Sequence, residues 1–270
     1  MEADATERPL GNLDMIDLWL HSGTVGIVVI PFIVLYAIAA IIVWVTHLSP
    51  ARPFFASCVG IAGPFFASVA VLFSLFAAFL ASDVERANDQ AQTAVLRESD
   101  GVRTILRLSE ALGSPANEVK SAALGYVDEV LRDEWPAMRS GKVVDDLSAL
   151  RVLIFAVLSP NLISVTPPAA HQAILNALVE IREARMERIA LADRASHPVN
   201  WPGVLVLGLL TQVAVAVVQL DKMRPQALAL FVFTSAFAAT VALIGINERP
   251  FSGRAVSDEP LRSAIATATQ

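Results

Sequence analysis

The residues able to do chemistry are few and scattered. The four histidines, His21, His47, His171 and His197, stand far apart, mostly beside apolar runs or at a helix start. None combines with a carboxylate pair to read as a general acid and base. The single cysteine, Cys58, has no partner for an internal disulfide and belongs to no metal-ligand spacing. Neither a glycine-rich phosphate loop nor a zinc motif is present. No enzymatic activity, metal or cofactor is therefore expected, and a net charge of −6 gives nucleic-acid binding no support. What the chain offers instead is uncharged apolar surface bordered by carboxylates, among them Asp83 and Asp89.

That surface lies in four runs, at about 24–46, 64–82, 202–220 and 227–246. Each is long enough to cross hydrocarbon as a helix. With 55% hydrophobic and 17% charged residues among 270, the chain reads as an integral membrane protein of all-α class. The first run follows an acidic segment, 1–23, and exceeds a signal-peptide core, so it is expected to remain as an anchor. Four spans place both termini and the central segment, 83–197, on one side. Arg86, Arg97, Arg185, Arg188, Arg194, Arg249 and Arg254 lie on that side, against Arg52, Lys222 and Arg224 in the connections. The excess favours a cytoplasmic central domain. The span interiors hold no charged residue or histidine, which lowers a proton-coupled transporter reading. Their polar groups, such as Thr211, Gln212, Thr234 and Ser235, can serve helix packing.

The stretch from 64 to about 112 organises the rest. Its membrane half sorts by size: Ala67, Ala70, Ser74, Ala77, Ala78 and Ala81 on one side of a helical wheel, Val69, Phe73, Phe76 and Leu80 on the other. Beyond Asp83 an apolar stripe continues at three-and-four spacing through Val95, Val102, Ile105 and Leu106. The spacing predicts one helix leaving the membrane and packing on partners in water, capped by Gly113. On residues alone, the Phe and Val face meets lipid or other helices and the small residues allow close helix contact.

Elsewhere the patterns are helical too. LDMIDLWLH at 13–21 predicts an amphipathic anchor, with Leu13, Ile16, Leu18, Trp19 and Leu20 along the membrane interface. Pro31 inside the first span implies a kink or a freed carbonyl. The proline- and glycine-broken segment 54–63 is either a short interfacial helix or a re-entrant piece. In the central domain, helices are predicted from Ser114-Pro115 to about Glu134, over 145–158, and onward from Thr166-Pro167-Pro168. The last carries Ile174, Leu178 and Ile181 inward and Glu180, Arg182, Glu183, Arg185, Glu187 and Arg188 mostly outward, as a solvated, ion-paired face.

Two short segments, DEWPAM at 133–138 and NERPFSG at 247–253, the latter followed by SDEPLRSAI, resemble the bacterial bestrophin-like family, long known only as a domain of unknown function. Nearly the whole chain follows the family's order of two spans, a helical insert, two spans and a signature before a short C-terminal helix. It departs at Asn247-Glu248, where the family often has an aspartate before Arg-Pro-Phe. Within these motifs Trp135 and Pro136, and Arg249, Pro250, Phe251 and Gly253, read as structural: an aromatic anchor, and a chain-reversing cap that tucks Phe251 against the helical domain.

The resemblance implies a homo-oligomeric, pentameric ion channel of the bacterial inner membrane, with the 247–270 tail cytoplasmic. It further implies that the second span lines an apolar neck, with Val69, Phe73, Phe76 and Leu80 as rings and Asp83, with Asp89, at the cytoplasmic mouth. The partners implied are the bilayer, further copies of the chain and permeant ions. Such a neck can gate by dewetting, and a carboxylate ring favours cations. The rival reading is a membrane-anchored scaffold or sensor whose helical domain binds a partner.

Overall fold

The computed structural model describes residues 15–20, 22–50, 53–54, 63–140, 142, 148–194, 201–252 and 255–266. Among them the protein is helical throughout, with no strand. The reading of 54–63 and the role of Gly253 fall outside the described residues, apart from Phe54 and Gly63. The chain divides into two compact units, one formed by Met1–Val84 with His197–Glu248, the other by Glu85–Ser196 with Arg249–Gln270.

The first unit contains α1 (Met15–Leu20), α2 (Gly23–His47), the start of α3 (Gly63–Leu112), α9 (Trp201–Val218) and α10 (Met223–Asn247). It is apolar outside as well as inside. Val25, Ile33, Val71, Phe79, Phe231 and Val232 are all exposed, the inverse of a water-soluble surface. Since the apolar effect cannot hold such helices together in lipid, polar contacts and packing must. Two buried amides do this at different levels. Gln212 donates from Nε2 to the Leu35 carbonyl (3.1 Å) and to Thr234 Oγ1 (2.9 Å). Gln226 donates to the Ala216 carbonyl (2.8 Å) and accepts from Thr46 Oγ1 (3.1 Å), so α2, α9 and α10 are fastened twice.

Pro31 cannot donate to the carbonyl one turn before it, Ile27, and the Trp19 indole N–H donates to that carbonyl instead (3.2 Å). Trp19 also stands edge-on to Trp201, with ring centroids 5.0 Å apart, and Leu20 is buried. So α1 is docked on the helices through these two residues, and Leu18 remains exposed.

The second unit holds the rest of α3, α4 (Asn117–Glu129), a π turn (Val130–Glu134), α5 (Trp135–Arg139), α6 (Ser148–Val157), α7 (Pro160–Val165), α8 (Pro168–Arg194) and α11 (Glu259–Ala266). Its core joins the predicted stripe of α3 (Val95, Val102, Ile105, Leu106) to Tyr126, Leu153, Ile174 and Ile181. Gly113, at φ 71°, ends α3 in the left-handed region that glycine adopts without strain.

Among the described residues five segments are long and apolar enough to cross a membrane, by length and composition: Gly23–His47, Ala67–Leu112, Ser148–Val165, Trp201–Val218 and Met223–Asn247. The sequence reading counts four and assigns the third of these to the helical domain. That segment is two helices, α6 and α7, broken at Ser159-Pro160, and Leu153, Val157 and Leu162 contribute to the core of the second unit.

Candidate functional site

Two places stand out, the membrane half of α3 and a buried charge cluster in the second unit. On α3 the buried stripe is Phe73, Ala77, Leu80 and Val84, at i, i+4, i+7 and i+11. Phe73 packs edge-on against Phe237 (centroids 5.1 Å apart) and Phe233 (6.0 Å) of α10. The stripe therefore cuts across the size-sorted faces of the helical wheel, taking Phe73 and Leu80 from the bulky side and Ala77 from the flat one. Val69 is half-buried, whereas Phe76 is 47% exposed. Leu72 and Phe79 are exposed on the same flank as Phe76. Asp83 continues that flank and is half-buried, while Asp89 is exposed.

The cluster in the second unit contradicts the outward placement of Arg185 and Arg188. Arg188 is fully buried. Its Nε donates to Glu98 Oε2 at 2.7 Å and its Nη2 to Glu98 Oε1 at 3.0 Å, a fork-to-fork pairing that fixes orientation as well as charge. The same Nη2 lies 2.6 Å from Glu134 Oε1, and Arg185 Nε donates to Glu134 Oε2 at 2.9 Å. Tyr126 adds its hydroxyl to Glu98 Oε1 at 2.5 Å. Two carboxylates and two guanidiniums therefore neutralise one another in a space that excludes water.

Electrostatics follow from that placement. Burial raises the Tyr126 hydroxyl well above its ordinary pKa, and the Glu98 charge pushes it the same way. For Arg188 burial alone would lower the pKa, but Glu98 and Glu134 outweigh it and the value is raised. The guanidinium is a permanent cation here.

Local sequence explains how Glu134 reaches the cluster. An α-helix continued from α4 would drive the Pro136 ring into the carbonyl of Arg132. The π turn relieves this: Trp135 N–H donates to the carbonyl of Val130, five residues back, and the wider turn points Glu134 and Trp135 inward. Trp135 lies under the Arg188 guanidinium, 5.8 Å from carbon to ring centroid, and Met138 Sδ accepts from Arg188 Nη1 at 3.4 Å. On its other contact Trp135 meets Phe251 edge-on, with centroids 5.7 Å apart. Phe251 and Pro250 are buried in a short 3-10 turn after α10, and Arg249 is half-buried. Pro136 itself is exposed.

The structure thus joins the two motif segments through the Trp135–Phe251 contact, and the first of them supplies Glu134 to the charge cluster. The Bestrophin-like domain matches residues 33–261. The chain belongs to the bestrophin-like family. Neither a curated protein nor a solved structure matches it. Within this bestrophin-like chain, Glu98, Glu134, Tyr126 and Arg188 are the site residues that sequence reasoning missed. The available signal was Glu98 within the apolar stripe of α3, three residues after Val95 and four before Val102, a charge where a core residue was due.

Proposed function

We propose that this bestrophin-like protein is the subunit of a homo-oligomeric ion channel, a pentamer, in a bacterial inner membrane. In this reading α2, the first half of α3, α9 and α10 are the four spans. The termini and the second unit are cytoplasmic, and conduction is passive. The observation that carries it is the exposed flank of α3. Leu72, Phe76 and Phe79 form a bulky apolar stripe that the chain's own packing leaves uncovered, and Asp83 follows on the same flank. Repeated around a symmetry axis, such a stripe makes rings that dewet, and the carboxylates at the mouth favour cations. Phe76 is then the central neck residue. Phe73 and Leu80, turned toward the chain's own helices, set its position.

The test is current through reconstituted protein. Phe76→Ala is expected to raise conductance severalfold and Asp83→Asn to reduce cation preference. Conductance and selectivity unchanged by both substitutions would overturn the assignment of the pore.

A second reading, a scaffold or sensor that binds a partner, is favoured by one observation. In α6 and the turn after it, Val152, Phe155 and Leu158 are all more than half exposed, in the most apolar stretch of the second unit. A monomeric protein that co-purifies with a stoichiometric partner would support that reading.

A further inference from the structure

We propose that the Arg188 cluster is a latch, fastening the segment that follows α10 to the soluble continuation of α3 by way of Trp135. Four residues after α10 ends at Asn247, Phe251 inserts against Trp135. Trp135 is held by the Arg188 guanidinium, and Arg188 is held by Glu98 on α3. The segment continues from Phe251 through Val256, whose N–H donates to the Pro250 carbonyl at 3.1 Å, into α11, where Leu261 and Ala264 are buried. A weaker, half-buried attachment is made by Arg103 of α3, which donates to Ser263 Oγ at 3.4 Å.

A static core would not need ions. Apolar residues of similar volume often stabilise a fold at least as well as a buried ion pair, so what the charges add is geometry. The Arg188 fork donates to Glu98 in one orientation only, which fixes one rotation and one height of α3 against α8 and, through the guanidinium over its ring, against Trp135. The Phe251 segment is thereby coupled to the register of α3. This latch stands without the channel reading. Its bearing on conduction rests on that reading, because α3 would then also line the pore.

The experiment is hydrogen exchange on the full chain in mild detergent. The double variant Glu98→Gln with Arg188→Met removes one charge of each sign and leaves the Arg185–Glu134 pair in place. Phe251→Leu removes the ring contact and leaves every charge, so a folding failure of the double variant does not end the test. In each variant the amides of 256–266 are expected to exchange about tenfold faster, the effect of losing one edge-on ring pair or one cation–π contact. Those of α8 should keep their protection. Unchanged exchange in 256–266, or an equal loss in α4 and α8, would overturn the latch. Current recordings on the same proteins separate the two claims. Wild-type protein that carries no current overturns the channel reading whatever the exchange shows. Variants that release 256–266 and conduct as wild type remove the link to conduction alone.

Discussion

Tyr126 shows how much one hydroxyl can matter when its acceptor is a buried charge. Its bond to Glu98 is made where no water can replace it, and bonds of this kind contribute about 1.5–3 kcal/mol. Tyr126→Phe is expected to lower the unfolding free energy by about 2 kcal/mol in denaturant titration, with the helix content of the native state unchanged. It should also alter the alkaline limb of stability. The folded-state pKa is raised, so the contribution is complete below the ordinary tyrosine value of about 10 and is lost as pH rises from there. Tyr126→Phe removes that term, and the decline above about pH 10 should become shallower. Little of this was legible in the sequence. Arg185 and Arg188 sit in a run of alternating charges that reads as a wet helix face. Their partners are 51 and 90 residues away, and local patterning carries no information about pairing at that separation.

Between elements, the decisive contact is the approach of α3 to α8. A methyl group on Gly101 would meet Ile181 Cγ1 at 2.7 Å and the Ala177 carbonyl at 3.0 Å, so these two helices touch almost backbone to backbone beside the Glu98–Arg188 pair. Alanine is the better helix former, yet Gly101→Ala is expected to destabilise the protein by about 1–3 kcal/mol through overpacking. Thermal unfolding would show it, and Ile181→Val in the same chain should recover part of the loss. At this scale the sequence was more informative. Hydropathy and periodicity carry the long apolar helices, the unbroken run of α3 and the glycine that ends it, because those depend on each helix's own residues. The π turn was hidden, although Pro136 behind a helical run was its cause. So was the choice of face on α3, because Phe233 and Phe237 of α10 select it from another part of the chain.

For the whole molecule the first quantity to measure is its mass in mild detergent. Native mass spectrometry is expected to give a single closed oligomer of five chains, and a ring with a central axis is the symmetry a pore requires. A monomer or dimer would remove that axis and leave Leu72, Phe76 and Phe79 to lipid or to helix packing.

The repair of the Pro31 gap by Trp19 implies an order of assembly. The seat of α1 is composite, built from the Ile27 carbonyl on α2, the Trp201 ring on α9 and the backbone of Gly245 on α10, where an added Cβ would meet the Trp19 ring at 2.8 Å. Those pieces leave the ribosome more than two hundred residues apart. The seat does not exist until α10 has been made and has found α2, so α1, made before every helix it rests on, is among the last to settle. Trp19→Phe keeps a ring but cannot donate to the exposed carbonyl. It is expected to leave the bundle intact while the 15–20 segment becomes open to protease, which would make cleavage there a readout of completed folding.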